Sequence, residues 1–327
     1  MNVSELCANA VRGTLVAAPG KKLLVSDLSN IEGRSAAWLA GEEWKLEAFR
    51  AFDAGVGPDM YKLAYARSFG LSPEEVSKDQ RQKGKVMELS CQYQGAVGAF
   101  NKMGANYGVE LPEDEVLGLV RAWRAAHPAI KSLWYDLEAA AIRAVGTPGS
   151  NFTVRKLVLD ALDDESGQRW LRVRLPTGSY LCYFQPEIRQ DVCKRCEGSG
   201  VVVFREKELT CPDCNGAGKD WRKKLTYMGI DQYTKKWKRL DTYGGKIFEN
   251  ANQKFAREVF MSGFKRAAAA GYLAAVRVHD ELVVEVPDTP EYTHERLSEL
   301  LATNPAGTLG LPLAAAGHAM YRYSKGD

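Results

Sequence analysis

The sequence has no long apolar run and no targeting segment. No stretch of its 327 residues approaches the ~18 consecutive apolar residues of a membrane-spanning helix. The first residues, MNVSELCANAVRG, lack the basic start and the apolar core of a signal peptide. We therefore expect a cytoplasmic protein that has no membrane partner.

A strong charge of either sign is also missing. The net charge is only +3, so the total charge does not indicate a class of partner. Residues 222–246 differ, because they hold eight Lys or Arg against two Asp, with Tyr227, Tyr233, Trp237 and Tyr243 between them. Cations and aromatic rings together are typical of surfaces that bind phosphates and exposed bases. A solvated hairpin whose aromatic rings pack inward would have the same composition.

The seven cysteines do not indicate a disulfide framework, because cytosolic proteins keep their thiols reduced. Four of them follow the pattern C-x2-C-x14-C-x2-C, which is close to that of four-cysteine zinc sites: Cys193, Cys196, Cys211 and Cys214. Each pair belongs to a C-x-x-C-x-G-x-G unit that resembles the repeats of J-domain co-chaperones. We predict one structural Zn²⁺, with a redox dithiol pair as the alternative. Cys7, Cys91 and Cys182 are interpreted as ordinary thiols.

The order of helix and strand signals predicts an α+β protein. Helical patterns cover residues 31–41, 42–52, 59–70, 72–93, 112–126, 129–146 and 245–271. Strand patterns cover residues 21–27, 151–162, 169–178, 179–188, 224–231, 236–244 and 276–286. Ser72, Pro73 and Glu75 form the capping box that is expected to start the helix running towards Tyr93, with a break near Gly84 as the alternative to a continuous helix. The cysteine segment interrupts the strand region.

Two strand ends carry carboxylates. VRVHDELVVEV (276–286) reads as a hairpin with Asp280 and Glu281 at its tip, and KKLLVSD (21–27) reads as a strand ending at Asp27. Taken alone, the hairpin carboxylates are better explained as solvated turn residues. If the two strands are neighbours, the carboxylates converge and require a proton or a divalent cation between them. Hard oxygen ligands without thiolates favour Mg²⁺ or Mn²⁺.

A stripe of four residues follows the predicted helix 72–93. Arg81, Lys85, Leu89 and Tyr93 are spaced by four, so they are expected on one helix face. The two cations would suit a triphosphate, and the other two side chains would suit a sugar and a base. A surface helix with exposed charges above an apolar seam is the alternative.

Three segments in this order resemble the motifs of family A (Pol I-like) DNA polymerases, most closely the phage-type members. They are DLSNIEGR (27–34), RQKGKVMELSCQYQG (81–95) and VHDE (278–281), with TYGGKIFENANQ (242–253) before the third. The resemblance implies a right-hand polymerase fold, in which an antiparallel palm sheet is joined to helical fingers, here with a small zinc-binding insertion. It also implies a bacterial or phage-infected host cell.

The resemblance implies a division of the chain into five segments. Residues 1–70 would form the first part of the palm, with the first metal motif, and residues 71–149 the helical fingers. Strands of palm or fingers would occupy residues 150–189, and the four-cysteine insertion residues 190–221. The second part of the palm, with the last metal motif, would occupy residues 222–327.

For catalysis, the resemblance implies two Mg²⁺ ions, or Mn²⁺, bound by Asp27 and Asp280. These ions would activate the primer 3′-hydroxyl and stabilise the leaving pyrophosphate. Glu281 would assist without being the main ligand. Arg81 and Lys85 would bind the triphosphate, and Lys85 would protonate the leaving group.

For the substrates, primer–template DNA and dNTPs, the resemblance implies further contacts. Glu32 would crowd the 2′-position of the sugar, Leu89 would line the nucleotide site, and Tyr93 would stack near the templating base. His279 would support the primer end. The minor groove would be contacted by Lys246, Asn250 and Gln253.

The sequence departs from the family pattern in a few places. Leu89 stands where many members have Phe or Tyr, Gln94 separates Tyr93 from Gly95, and Tyr61 replaces a histidine of bacterial members. Only 26 residues precede Asp27, where relatives carry a thumb and often an exonuclease. We therefore expect the C-terminal palm–fingers half of a polymerase, which needs a thumb from an N-terminal partner chain.

Template-directed DNA synthesis is the function that these motifs predict. A nucleic-acid-binding or replisome-assembly module without chemistry is the alternative, favoured by the short N-terminal region and the cysteine insertion. A single-subunit RNA polymerase shares the fold, but Glu32 argues against it.

Overall fold

The computed structural model of the protein describes residues 7, 10–204 and 207–324. They form two compact units of mixed helix and antiparallel sheet, as the α+β prediction states. Unit 1 comprises Met1–Leu63 and Asn252–Asp327, and unit 2 comprises Ala64–Ala251. The five predicted segments are finer than this division, and their boundaries stay predictions. Across the described residues, no helix combines the length and the apolar character required to cross a lipid bilayer.

Unit 1 contains a four-stranded antiparallel sheet with the order β10-β11-β1-β12. Its strands are β1 (Lys21–Leu28), β10 (Ala274–Val278), β11 (Glu281–Pro287) and β12 (Ala315–Met320). The run Leu23–Ser26 of β1 is buried on both sides, as expected for a central strand. The predicted strand at residues 21–27 and the predicted hairpin at residues 276–286 are confirmed. Strand β12 was not predicted.

The helices of unit 1 begin with α1 (Ile31–Ala40) and α2 (Glu43–Asp53), followed by α3 (Met60–Phe69), which continues into unit 2. Gly41 ends α1 in the left-handed conformation, with φ of 74°. Near the C-terminus, a helix at His294–Leu301 packs against the sheet, and its Ser298 hydroxyl lies 2.7 Å from that of Ser26. The buried Trp38 ring stacks on Phe255, with 5.4 Å between the ring centroids.

Unit 2 begins with a helical region that differs from the predicted single helix over residues 72–93. The Ser72 capping box closes only a 3-10 turn, Pro73–Glu75, and the buried Val76 then extends the chain. A second capping box, formed by Ser77 and Gln80, starts helix α4 (Lys78–Cys91). The helix passes through Gly84 without a break and ends before Tyr93. Two capping boxes five residues apart therefore produce two helices.

Three more helices precede the strands of unit 2: α5 (Val97–Tyr107), α6 (Glu113–Ala126) and α7 (Pro128–Gly146). The sequence predicted α6 and α7 but not α5. The missed helix buries only Phe100 and Gly104, so it has no apolar stripe that a pattern search would find. Helix α8 (Gly244–Ala269) follows the strands and is divided between the two units.

A six-stranded antiparallel sheet, with the order β2-β3-β4-β5-β8-β9, completes unit 2. Helix α7 packs against it. The strands are β2 (Phe152–Val154), β3 (Leu157–Asp163), β4 (Arg169–Arg174), β5 (Tyr180–Val192), β8 (Lys219–Ile230) and β9 (Trp237–Thr242). The four cysteines lie between β5 and β8, together with the small hairpin of β6 (Val201–Phe204) and β7 (Lys207–Thr210). Because β5 pairs with β8, the cysteine segment interrupts a hairpin, as predicted.

A buried ion pair fixes helix α1 against α2. Arg34 is 1% exposed and donates two hydrogen bonds to the Asp53 carboxylate, at 2.6 and 2.7 Å, and a third to the Ser29 carbonyl oxygen at 2.6 Å. Its guanidinium also lies 4.6 Å from the centroid of the Phe49 ring. A guanidinium without its carboxylate would be costly in this position.

We predict that Asp53→Ala lowers the free energy of unfolding by about 3 kcal/mol, because it leaves the buried Arg34 charge unpaired. Urea denaturation followed by circular dichroism measures the change. As a control, Glu299→Ala removes the exposed pair with Arg296 and should cost less than ~1 kcal/mol. If both variants lost the same free energy of unfolding, the buried Arg34–Asp53 pair would contribute no more than an exposed pair.

Candidate active site

Three carboxylates meet at one end of the four-stranded sheet. Strand β1 pairs with β11 so that Asp27 lies directly opposite Glu281. Next to this pair, the backbone N–H of Leu28 donates to the carbonyl oxygen of Asp280 at 3.3 Å. The two strands are therefore neighbours, and the structure brings together Asp27, Asp280 and Glu281.

Asp280 lies in a two-residue β-hairpin turn. Val278 pairs with Glu281, which leaves only His279 and Asp280 in the turn. His279 has a φ of 52°, in the left-handed region that the first residue of a two-residue hairpin turn requires. The positions of His279 and Asp280 are thus set by backbone geometry.

Crowding and burial disfavour the ionised forms of Asp27 and Asp280. Burial raises the pKa of Asp27, and the charges of Asp280 and Glu281 raise it further. Burial also raises the pKa of Asp280, with a contribution from Glu281. The Tyr323 hydroxyl donates a hydrogen bond to Glu281. In the described part of the chain, no lysine or arginine forms an ion pair with Asp27 or Asp280. A divalent cation fits this donor set, because it would relieve the repulsion.

Beside the carboxylates lies a cavity of about 820 Å³, entirely within unit 1. Four of the residues singled out in the sequence line it: Glu32, Gln253, His279 and Asp280. Its apolar wall is formed by Ile31, Ala256, Phe260 and Met261. This volume is in the range of ligand-binding clefts.

Two cavity residues were missed in the sequence, Arg257 and Arg277. Arg257 lies four residues after Gln253 on helix α8, so it shares that face of the helix. Arg277 lies two residues before His279 in the same β-hairpin and projects to the same cavity. Both arginines could have been found in the sequence, one a helical turn after Gln253 and the other two strand residues before His279.

Apart from Glu32, which lies in unit 1, the predicted nucleotide-binding residues lie in unit 2. Arg81, Lys85 and Leu89 are on α4, but Tyr93 lies two residues beyond its last residue, Cys91. The predicted stripe of four helical residues is therefore wrong at its end. The Lys85 ammonium lies 4.4 Å from the centroid of the Tyr107 ring, and Tyr93 makes an edge contact with Phe248 at 5.7 Å.

A buried polar group anchors α4 on α6. Glu88 accepts a hydrogen bond from the Trp123 indole at 2.7 Å, and its carboxylate lies 3.0 Å from Nε2 of His127. The Trp123 and His127 rings stack with 3.9 Å between their centroids. This network fixes the orientation of the helix that carries Arg81 and Lys85, and no sequence motif signalled it.

The remaining predicted DNA contacts are on α8. Lys246 is paired with Glu249 at 3.0 Å, and the Asn250 amide donates to the Tyr183 hydroxyl at 3.1 Å, both within unit 2. Gln253 lies further along the helix, in unit 1. Two of the three polar groups therefore already have partners within the chain.

The basic, aromatic stretch at residues 222–246 forms the β8–β9 hairpin. Tyr227 packs inward against Tyr183, with 5.0 Å between the ring centroids, whereas Tyr233 is 83% and Trp237 57% exposed. The inward-packing alternative is thus correct for Tyr227 and wrong for Tyr233 and Trp237.

The four-cysteine segment is built as two similar halves. In each half a glycine N–H donates to a cysteine sulfur at 3.3 Å, Gly200 to Cys196 and Gly218 to Cys214. Both glycines have positive φ, of 78° and 69°. A Cβ on Gly200 would lie 2.3 Å from a backbone oxygen of the other half, and one on Gly218 would lie 2.4 Å from its counterpart. The repeated glycines of the motif are therefore required.

The thiol groups of the segment fit a zinc ion. The sulfur atoms of Cys193, Cys196, Cys211 and Cys214 all lie within 4.8 Å of one another and are buried. Two of the distances are 3.8 Å, from Cys193 to Cys211, and 3.6 Å, from Cys196 to Cys214. Tetrahedral Zn–S bonds of ~2.3 Å imply sulfur separations of roughly 3.8 Å.

The relatives found by comparison with known proteins are named DNA polymerases. The chain is 36% identical to the DNA polymerase of Bacillus phage SP02 over 326 residues, which is 99% of this chain and 44% of the phage protein. It is 30% identical to DNA polymerase I of Aquifex aeolicus over 127 residues, 38% of this chain and 21% of the relative. The chain thus spans less than half the length of these relatives. No protein-family model matches it.

The fold has a solved counterpart. The POL domain of Pol1 from M. smegmatis, in complex with DNA primer-template and dNTP, aligns with a TM-score of 0.54 and 16% identity, over 97% of this chain and 42% of that one. This likeness shows the α+β polymerase fold that the motifs predict. The chain is therefore similar in sequence to a phage DNA polymerase over nearly all of its own length, and in fold to the POL domain of Pol1.

Proposed function

We propose that the chain carries out template-directed DNA synthesis, transferring a nucleotide from a dNTP to the 3′-hydroxyl of a primer. The observation that carries this proposal is the meeting of Asp27, Asp280 and Glu281 at one end of the sheet without a compensating Lys or Arg among the described residues. The similarity to a phage DNA polymerase over nearly the whole chain supports it. We place the reaction in the cytoplasm of a bacterial or phage-infected cell.

In the proposed mechanism, Asp27 and Asp280 hold two divalent ions, Mg²⁺ or Mn²⁺, which supply charge stabilisation at the reacting phosphate. Glu281 supports this site, and the Tyr323 hydroxyl fixes its carboxylate. Arg81 and Lys85 bind the triphosphate of the dNTP. Lys85 also donates a proton to the oxygen that leaves with pyrophosphate.

The proposed substrate contacts follow the same motifs. Glu32, in the first turn of α1, excludes a sugar 2′-hydroxyl, and Leu89 and Tyr93 line the nucleotide and template-base positions. From the cavity, His279 supports the primer end and Gln253 reaches the minor groove of the primer–template. Lys246 and Asn250 contact the minor groove after exchanging their internal partners for DNA. A thumb-bearing polymerase chain is the proposed partner for duplex grip.

We predict that Asp280→Asn lowers primer extension at least ~10²-fold, because a metal site supplies several kcal/mol of transition-state stabilisation. Extension of a labelled primer with Mg²⁺ measures it, with the chain alone and with any thumb-bearing chain encoded beside it. Asp288→Asn is the control. Asp288 follows the last residue of β11, at the opposite end from Asp280, and accepts a hydrogen bond from the Tyr321 hydroxyl.

The two functions suggested by the sequence give opposite results in this assay. DNA synthesis requires that Asp280→Asn is much slower than Asp288→Asn. If the wild type binds primer–template DNA with a steep salt dependence but incorporates no nucleotide under any condition, the chain is a binding or assembly module.

We predict that Glu32→Ala raises incorporation of ribonucleotides relative to deoxynucleotides by about tenfold or more, because it removes the group that crowds the 2′-position. Single-nucleotide incorporation with matched rNTP and dNTP gives the ratio. Glu43→Ala, in the first turn of α2, should leave the ratio unchanged. An unchanged ratio in Glu32→Ala would remove Glu32 from the sugar site.

For the cysteine segment we propose one structural Zn²⁺ held by Cys193, Cys196, Cys211 and Cys214. The site orders the segment near the basic β8–β9 hairpin, whose exposed Tyr233 and Trp237 suit nucleic-acid bases.

We predict about one zinc per chain by metal analysis of protein purified without chelator. Cys196→Ser should lower the zinc content and make the segment sensitive to protease, since one of four ligands is lost. Cys182→Ser, which removes an exposed thiol outside the cluster, should change neither. Full zinc content in Cys196→Ser, or none in the wild type, would contradict the site.

A further inference from the structure

Two arginines face the cavity beside the carboxylates and have no role in the mechanism above. Arg257 comes from helix α8 and Arg277 from strand β10. One Arg277 nitrogen lies 2.9 Å from the sulfur of Met261, which is one helical turn after Arg257. The Arg277 side chain thus crosses from the sheet to the stretch of α8 that bears Arg257.

Neither guanidinium has an ionic partner in the described part of the chain. Arg257 and Arg277 form no ion pair there, although other exposed arginines do, such as Arg296 with Glu299 at 2.9 Å. Two cations that share a cavity without partners repel each other, so an anion between them is stabilised. Guanidinium groups are well suited to phosphate, which they bind through paired N–H donors.

Each arginine lies close along the chain to a residue already assigned to the primer–template DNA. Arg257 follows Gln253 by four residues, a rise of ~6 Å along an α-helix. Arg277 precedes His279 by two residues, ~6.6 Å along an extended strand. The step on β10 leads away from the turn that carries Asp280. A strand whose 3′ end lies at His279 and that runs through this cavity would therefore pass the two arginines that line it.

We propose that Arg257 and Arg277 bind the phosphodiester backbone of the primer strand just before its 3′ end. This inference rests on the proposed function and deepens it, because it assigns the position of the primer in the cavity. The ligand is an internal phosphodiester, not the triphosphate of the nucleotide. The two arginines hold the strand in register and take no part in the chemistry.

The test is binding of the full chain to a labelled primer–template by fluorescence anisotropy, without dNTP, between about 50 and 200 mM salt. Arg257→Gln and Arg277→Gln should each weaken binding about 5- to 10-fold. Each should also reduce the slope of log affinity against log salt by about 0.9, on any sequence. Arg257→Lys should retain the slope, because it keeps the charge.

Replacing single primer phosphates by uncharged groups shows which phosphate the arginines contact. A primer with one uncharged methylphosphonate, moved through the phosphates before its 3′ end, should weaken the wild type at one or two positions. At those positions the matching Gln variant should show no further loss. Arg296→Gln, on the helix at His294–Leu301, is the control and should behave like the wild type at every position.

The outcomes separate this inference from the proposed function. If the wild type binds or extends primer–template while both Gln variants match its affinity and slope, the arginine assignment is wrong and the proposed function stands. If Arg257→Lys binds as weakly as Arg257→Gln, phosphate recognition by charge is wrong. If the wild type neither binds nor extends the DNA, both are overturned.

Discussion

The antiparallel pairing of β1 with β11 is the interaction on which the candidate site depends. This register places Asp27 opposite Glu281, next to the turn that holds Asp280. A shift of one residue would turn Asp27 to the other face of the sheet. It would also exchange the buried positions of Leu23 and Val25 with those of Leu24 and Ser26, whose hydroxyl lies 2.7 Å from that of Ser298. The packing on both faces of β1 therefore also sets the spacing of the carboxylates.

Strand β12 holds this arrangement from the other side. It pairs with β1 along Leu23–Leu28, and a Cβ on its Gly317 would lie 2.2 Å from the Val25 oxygen. With partners on both edges, β1 cannot slide or fray. Such rigidity lets the sheet keep mutually repelling carboxylates together, because the folding energy of the sheet opposes their repulsion. A divalent cation that bound at such a site would find its ligands already in place.

The parts of the structure that could be predicted are those with a strong local pattern. Alternating Val and Leu residues marked the hairpin, and the run before Asp27 marked β1. Strand β12 was missed because its sequence, AAGHAM, has small residues and no β-branched side chain, and it is a strand only through pairing with β1. Arg257 and Arg277 were missed for a related reason. They belong to no motif, and only the cavity shows that residues from α8 and β10 share one surface.

The cysteine segment has a consequence for how this chain can vary. Its two ends leave the sheet from Val192 and Lys219, which are paired with each other across β5 and β8. The segment thus starts and ends at the same residue pair of the β5–β8 strand pairing. A short turn could replace it without changing the order or register of any strand. Evolution can therefore add, lose or exchange this four-cysteine segment as a unit, while the remainder of the sheet keeps its geometry.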